Sequence, residues 1–418
     1  MNPFDLKPKK LEDLILNWRQ MTPIPYDRRA VDPYTRCRVI LMNGTEFEAV
    51  WYGHQFSRHT ADNELRRQIA LLRRLEQQQQ KLIAALKPAD ETILEHTIGY
   101  EQLAVDLTAG LSQREDNPYV KQALDFALLE DFDHLYRYAD LMDFDDHMHA
   151  ELLVGRYTEI MPGRPTIAHH RHPFDSVKFH IQNKTASPQT RLCTAIITAA
   201  EQQTMNYYMN VAAFYPTAWG QKLYREIGMV EEQHVTQYAS LMDTEQTWLE
   251  GLLNHQYTEC YLYWSAMETE SDARIKGIWE MLFEQEVSHL HAAAELPETY
   301  EGREAGAVIP DGTFPDPLLL TSNVEYVRAI LGATACNTAL REDWTNVNDL
   351  NPGADFFRYQ DVVNDDVADV ESHAIIQQVI RREGEDYRFE VAPNPVIALR
   401  DRKRDDTEIG RVRGVNCE

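Results

Sequence analysis

An all-α protein is predicted by three features of the sequence. Apolar residues recur at i, i+3, i+4 and i+7 through long segments, glycine and proline are sparse inside those segments, and their ends carry legible caps. Methionine, phenylalanine, tyrosine and tryptophan are plentiful in them. With 418 residues and 43% hydrophobic content the chain has ample core. At roughly 150 residues per domain it allows two or three units, or one large bundle with additions.

Taken in order, residues 1–60 read as an irregular N-terminal extension. Prolines stand at 3, 8, 23, 25 and 33, and the turn dipeptide Asn43-Gly44 between RVILM and TEFEAVWY predicts a short β-hairpin. From Asp62 to Lys87 a charged helix places Leu65, Ile69, Leu72, Leu75, Leu82 and Leu86 on one face. Further helices are expected at about 91–111, 118–143, 189–214, 219–243, 245–269 and 272–295. Asp90 caps the first, Asn117-Pro118 opens the second, Pro216 stops the third and Pro297 closes the sixth. Residues 61–295 are therefore the expected helical body. Residues 296–418 form a C-terminal extension with helices near 323–341 and 360–382, an extended piece over YRFEVAPNPVIAL and a charged tail.

Charge narrows the partners. Lys and Arg number 41 against 67 Asp and Glu, a net charge of −26 that repels phosphate backbones and anionic lipid, so neither nucleic acid nor membrane is expected. No window approaches the 18 or so apolar residues of a spanning helix, and the opening residues lack a signal-peptide pattern, so the expectation is a cytoplasmic protein. Cys37, Cys193, Cys260, Cys336 and Cys417 are so scattered that no two reach CxxC spacing, which argues against a disulfide framework, a zinc ribbon and a rubredoxin-type iron site.

An internal repeat carries the chemistry. HLYRYADLMD at 134–143 returns as HVTQYASLMD at 234–243, 100 residues later. The same offset pairs Asp131 with Glu231 and Glu101 with Glu201. Each unit is an acid, then 30 residues on a second acid, followed three residues later by His. On the second helix, Asp131, His134 and Tyr138 share the stripe of Leu124, Ala127, Leu128, Leu141 and Met142; on the fourth, Glu231, His234 and Tyr238 share that of Leu223, Ile227, Leu241 and Met242. Glu101 is in line with Leu94, Ile98 and Val105, and Glu201 with Ile197, Thr204 and Tyr208. Four acids and two imidazoles thus point to one interior.

Buried carboxylates without counter-charge cost several kcal/mol each or take up protons. Two divalent metals balance four carboxylates, and a donor set of carboxylates with a few imidazoles suits iron or manganese. The competing reading is that the acids are surface residues on differently phased helices, paired with Lys or Arg. Tyr138 and Tyr238, one turn beyond the histidines, are placed to donate to ligand carboxylates, or to be ordinary core tyrosines. A third pair, Glu259 with Glu286 and His289, also lies on apolar stripes. It stays open between a second centre, a replacement for one of the first two pairs, and a hydrogen-bonded helical hairpin. His169, His170 and His172 fall in the long connection near Pro165 and Pro173, which reads as a solvated loop, with surface metal binding or an entrance as the alternatives.

Over residues 90–245 these motifs resemble the ferritin-like, rubrerythrin-like di-iron carboxylate superfamily. The resemblance implies a ferritin-like four-helix bundle with a long crossover over 143–189, to which this chain adds helices and small irregular N- and C-terminal extensions. It implies Glu101, His134, Glu201, Glu231 and His234 as metal ligands, with Asp131 in the remaining acid position, one methylene shorter than the expected glutamate. Glu130 is its neighbouring alternative. Two iron ions are the implied cofactor, with manganese or a mixed iron–manganese pair as the variant. The implied function is an oxidoreductase that activates dioxygen or peroxide, an oxidase or oxygenase of a small organic substrate supplied by an electron donor. The alternatives are a metal-handling or peroxide-detoxifying protein and a metal-free helical interaction protein. A homodimer is left open.

Overall fold

The computed structural model describes residues 1–163, 169–334, 336–363, 370–384 and 388. Helix dominates the described residues. The long helices are α1 (Pro33–His59), α2 (Asn63–Ala84), α3 (Ile93–Arg114), α4 (Pro118–Asp145), α5 (Pro188–Val211), α6 (Ala218–Ser240), α7 (Trp248–Thr269) and α8 (Ala273–Glu301). Shorter ones follow: α9 (Val324–Thr334), α10 (Asp355–Val363) and α11 (Glu371–Glu383). Strand among the described residues is confined to an antiparallel pair, β1 (Asn337–Leu340) and β2 (Asp343–Asn346), in which Asn337 faces Asn346. None of the described helices is long and apolar enough to cross a membrane.

The chain divides into two compact units. The first comprises Met1–Glu91, Ile181–Gln203 and Met242–Leu319; the second comprises Thr92–His180, Thr204–Leu241 and the described residues from Leu320 on. This differs from a single helical body at 61–295. Inside the first unit, α1 packs along α2, α7 along α8, and α1 against α7. Inside the second, α4 is the centre, packed by α3, α6, α9 and α11. From Val120 to Asp143 almost every residue of α4 is buried. A helix covered on every side needs no single apolar stripe, so its charged residues must each find a partner in the interior.

Several expectations fail, among them the helix near 323–341, which ends at Thr334 ahead of β1. The hairpin at Asn43-Gly44 is instead the middle of α1, and the irregular extension at 1–60 shrinks to the residues before Pro33. Gly in a helix interior costs about 1 kcal/mol relative to Ala, which is why the dipeptide reads as a turn. Here its missing side chain is used: a Cβ on Gly44 would stand 2.9 Å from the Cβ of Gln203 on α5. Pro297, expected to close a helix, lies inside α8, which runs on to Glu301 and ends at Gly302 with φ of 66°. A proline this near the C-terminus forfeits one helical hydrogen bond, and the left-handed glycine makes the stop. Apart from Arg388, the extended piece and tail expected from Tyr387 on lie outside the described residues.

Most starts follow the sequence. Asp62 caps α2, Asn117 caps α4 ahead of Pro118, and Asp272 caps α8. For α3 the cap is Thr92 rather than Asp90. The Thr92 hydroxyl accepts from the Glu95 N–H at 3.1 Å, and the Glu95 carboxylate accepts from the Thr92 N–H at 2.8 Å. Thr92→Ala should therefore lower stability by about 1 kcal/mol, read as a lower urea midpoint at unchanged slope, whereas Asp90→Ala should be close to neutral.

Candidate metal centre in the second unit

The second unit brings together Glu101 on α3, Asp131 and His134 on α4, and Glu231 and His234 on α6. All five are buried, at 0–1% exposure. Glu101, His134 and Glu231 each offer a ligand atom within 4.8 Å of the others, as do Asp131, Glu231 and His234. Glu231 belongs to both groups. His134 Nδ1 lies 2.9 Å from Glu231 Oε1; His234 Nδ1 lies 3.2 Å from Asp131 and 3.2 Å from the second Glu231 oxygen. The i, i+3 spacing that sets acid and imidazole on one face of α4 and of α6 produces this pairing.

The buried acids of α4 show which carboxylate is left for an ion. Glu130 receives Arg171 Nη1 at 2.7 Å, Asp133 receives Arg137 Nε at 2.9 Å, and Asp140 and Asp143 share Arg388 at 2.7 Å. Asp131 has no arginine. Its one ion-pair partner is His234, and neither of its oxygens has a hydrogen-bond partner among the described residues. Glu130, the neighbouring alternative, is therefore engaged by Arg171. It also takes His234 Nε2 at 2.7 Å. A proton on Nε2 leaves Nδ1, the nitrogen that faces Asp131 and Glu231, as the free donor atom of the ring.

Burial raises the Asp131 carboxyl, opposed by His234 and His134. Glu231 goes the other way: burial opposes its charge, but the His134 and His234 rings set against it outweigh that and hold it down at about 2.

The remaining predicted residues fall as follows. Glu201 is buried on α5, near the point where that helix passes from the first unit to the second. It lies two turns before Tyr208, on the same helix face. Tyr208 donates its phenolic proton to Glu101 Oε1. Tyr138 and Tyr238 are fully buried. The Tyr138 hydroxyl has no hydrogen-bond partner among the described residues, so the donor to a cluster carboxylate is Tyr208 rather than Tyr138. Tyr138 instead packs its ring 5.1 Å from Tyr208 and 4.8 Å from Tyr224, and Tyr238 lies 6.4 Å from the His234 ring.

The His169–His172 segment is only partly the solvated loop expected. His169 and His170 are buried, and His169 sets its ring 5.4 Å from that of His134, with Nε2 3.5 Å from Asp133. Burial pushes the His169 imidazole well below its usual range. Gly163 in the same connection donates its N–H to Asp133 at 2.9 Å and passes so close to α4 that a Cβ would run into the Leu129 carbonyl. Sequence reasoning missed the parts played by Tyr208 and Arg171, and it read His169 first as part of a solvated loop. Tyr208 carried a signal, since it lies in line with Glu201. The chain matches no known family, and no curated protein or solved structure matches it.

Proposed function

We propose that a ferritin-like bundle holds a dinuclear iron centre on Glu101, Asp131, His134, Glu201, Glu231 and His234, and that the protein is an oxidoreductase acting with dioxygen or peroxide. The observation that carries this reading is Asp131: alone among the buried acids of α4 it lacks an arginine, and it faces Glu231 and His234 across 3.2 Å contacts. A structural ion-pair network would have supplied it a cation, as it did its four neighbours. Bound iron would supply the electrons and the open coordination positions at which a small oxidant reacts. The chain's own residues hold and orient. Arg171 fixes Glu130, Glu130 fixes the His234 ring through Nε2, and Tyr208 fixes Glu101. Near-complete burial keeps bulk water off the donors and favours a small reactant.

Anaerobic loading with iron(II) followed by exposure to air should change the optical spectrum and consume oxygen. Glu231→Gln/His234→Gln should lose iron affinity by more than about 100-fold, since even outer residues of metal sites cost 10–100-fold. Parallel assays with peroxide alone, and with peroxide or oxygen plus organic reductants, separate a detoxifying activity from an oxidase or oxygenase. A wild-type chain that takes up no metal, or a variant that keeps full occupancy, overturns the reading.

A further inference from the structure

The first unit contains a second cluster, to which residues 1–90 contribute two of the five side chains. Glu46 on α1, Glu76 on α2, Glu259 on α7, and Glu286 and His289 on α8 are all buried at 0–2% exposure. Glu76, Glu286 and His289 offer ligand atoms within 4.8 Å of one another, and so do Glu46, Glu76 and Glu259. Glu76 is common to both groups, as Glu231 is in the second unit. Glu46 and Glu76 stand 30 residues apart, the spacing of Glu101 to Asp131 and of Glu201 to Glu231.

The cluster is short of positive charge. Among the described residues three of its four carboxylates form ion pairs, all with histidine, and Glu46 forms none. His289 Nδ1 lies 3.1 Å from Glu76 and 2.9 Å from Glu286, and His255 is 3.6 Å from Glu259. Glu46 Oε2, Glu76 Oε2, Glu259 Oε1 and both Glu286 oxygens have no hydrogen-bond partner among the described residues. Their other oxygens are held from outside. Tyr263 donates to Glu46, and the Gln256 amide donates to Glu76 at 3.1 Å and to Glu259 at 2.7 Å. A tyrosine fixing the first acid of the set is the arrangement that Tyr208 and Glu101 make in the second unit.

We infer that the first unit carries a second, separate metal centre, built on Glu46, Glu76, Glu259, Glu286 and His289, that takes one or two hard divalent cations of the manganese or iron class. Gln79 stands three residues after Glu76, where the other repeats place histidine, and it is fully buried with its amide on Gln285 at 3.1 Å. This centre therefore offers four carboxylates to one imidazole. That ratio shifts its preference toward oxygen-loving manganese relative to the centre with two imidazoles.

The test is manganese(II) titration of the chelator-stripped full chain, with bound metal counted after desalting. Glu286→Gln/His289→Gln should lose one set of ions and keep the other. Glu231→Gln/His234→Gln should do the converse, and the combined chain should bind none. Circular dichroism checks folding, and Glu46→Gln and Glu259→Gln, each weakening manganese at least about tenfold, serve if the double variant does not fold. Manganese uptake by Glu286→Gln/His289→Gln, Glu46→Gln and Glu259→Gln equal to wild type overturns this inference. Equal uptake by Glu231→Gln/His234→Gln overturns the proposed function instead. A wild-type chain that binds no metal overturns both.

Discussion

Arg171→Met should destabilise the protein by about 3–5 kcal/mol, the cost of leaving a buried carboxylate without its cation. Arg171 is buried at 1% exposure, its Nη1 lies 2.7 and 2.9 Å from the two Glu130 oxygens, and its guanidinium stands 5.0 Å from the Phe126 ring centroid. Methionine keeps the apolar stem and removes only the charge. Glu130 then keeps the His234 ring at 2.7 Å. Adding Glu130→Gln should recover much of the loss, because a neutral amide no longer needs the guanidinium. The measurement is the denaturation free energy of the single and double variants. A single variant within about 0.5 kcal/mol of wild type would show that Arg171 does not hold Glu130. The single variant should also lose metal affinity in the second unit by about 10–100-fold, since the ring that Glu130 orients is His234.

Removing metal should lower the heat-unfolding midpoint substantially. An ion that binds only the folded chain stabilises it by about 4 kcal/mol when free metal exceeds its dissociation constant about 1,000-fold. Relief of repulsion among the buried carboxylates is part of that binding energy. Scanning calorimetry of chelator-stripped protein, with and without manganese(II) or iron(II), should show the midpoint rise with metal concentration, and the rise should shrink in Glu231→Gln/His234→Gln. Superimposable scans at every concentration would contradict both proposed centres.

The helical class and most helix limits were legible because periodicity and capping are local. Asn117-Pro118 opens α4 as read, and the stripe through Asp131, His134 and Tyr138 is buried as read. The same local logic misled at α1. Asn43-Gly44 is a turn signal by propensity, yet the glycine serves close helix packing, and losing α1 hid Glu46. With Glu46 read into a hairpin, its 30-residue spacing to Glu76 on α2 went unread.

By itself the sequence determined that acids and histidines lie at ligand spacing on apolar helix faces, because the 3.6-residue period places i and i+3 side by side whatever the helix packs against. Only the tertiary structure decided which of those acids acquire a cation. Glu130 and Asp131 are adjacent in the chain, and the difference between them is an arginine 41 residues away. Glu46 is fixed by a tyrosine 217 residues away. Electrostatic energy depends on distance and burial in the folded chain, and neither is encoded in local spacing.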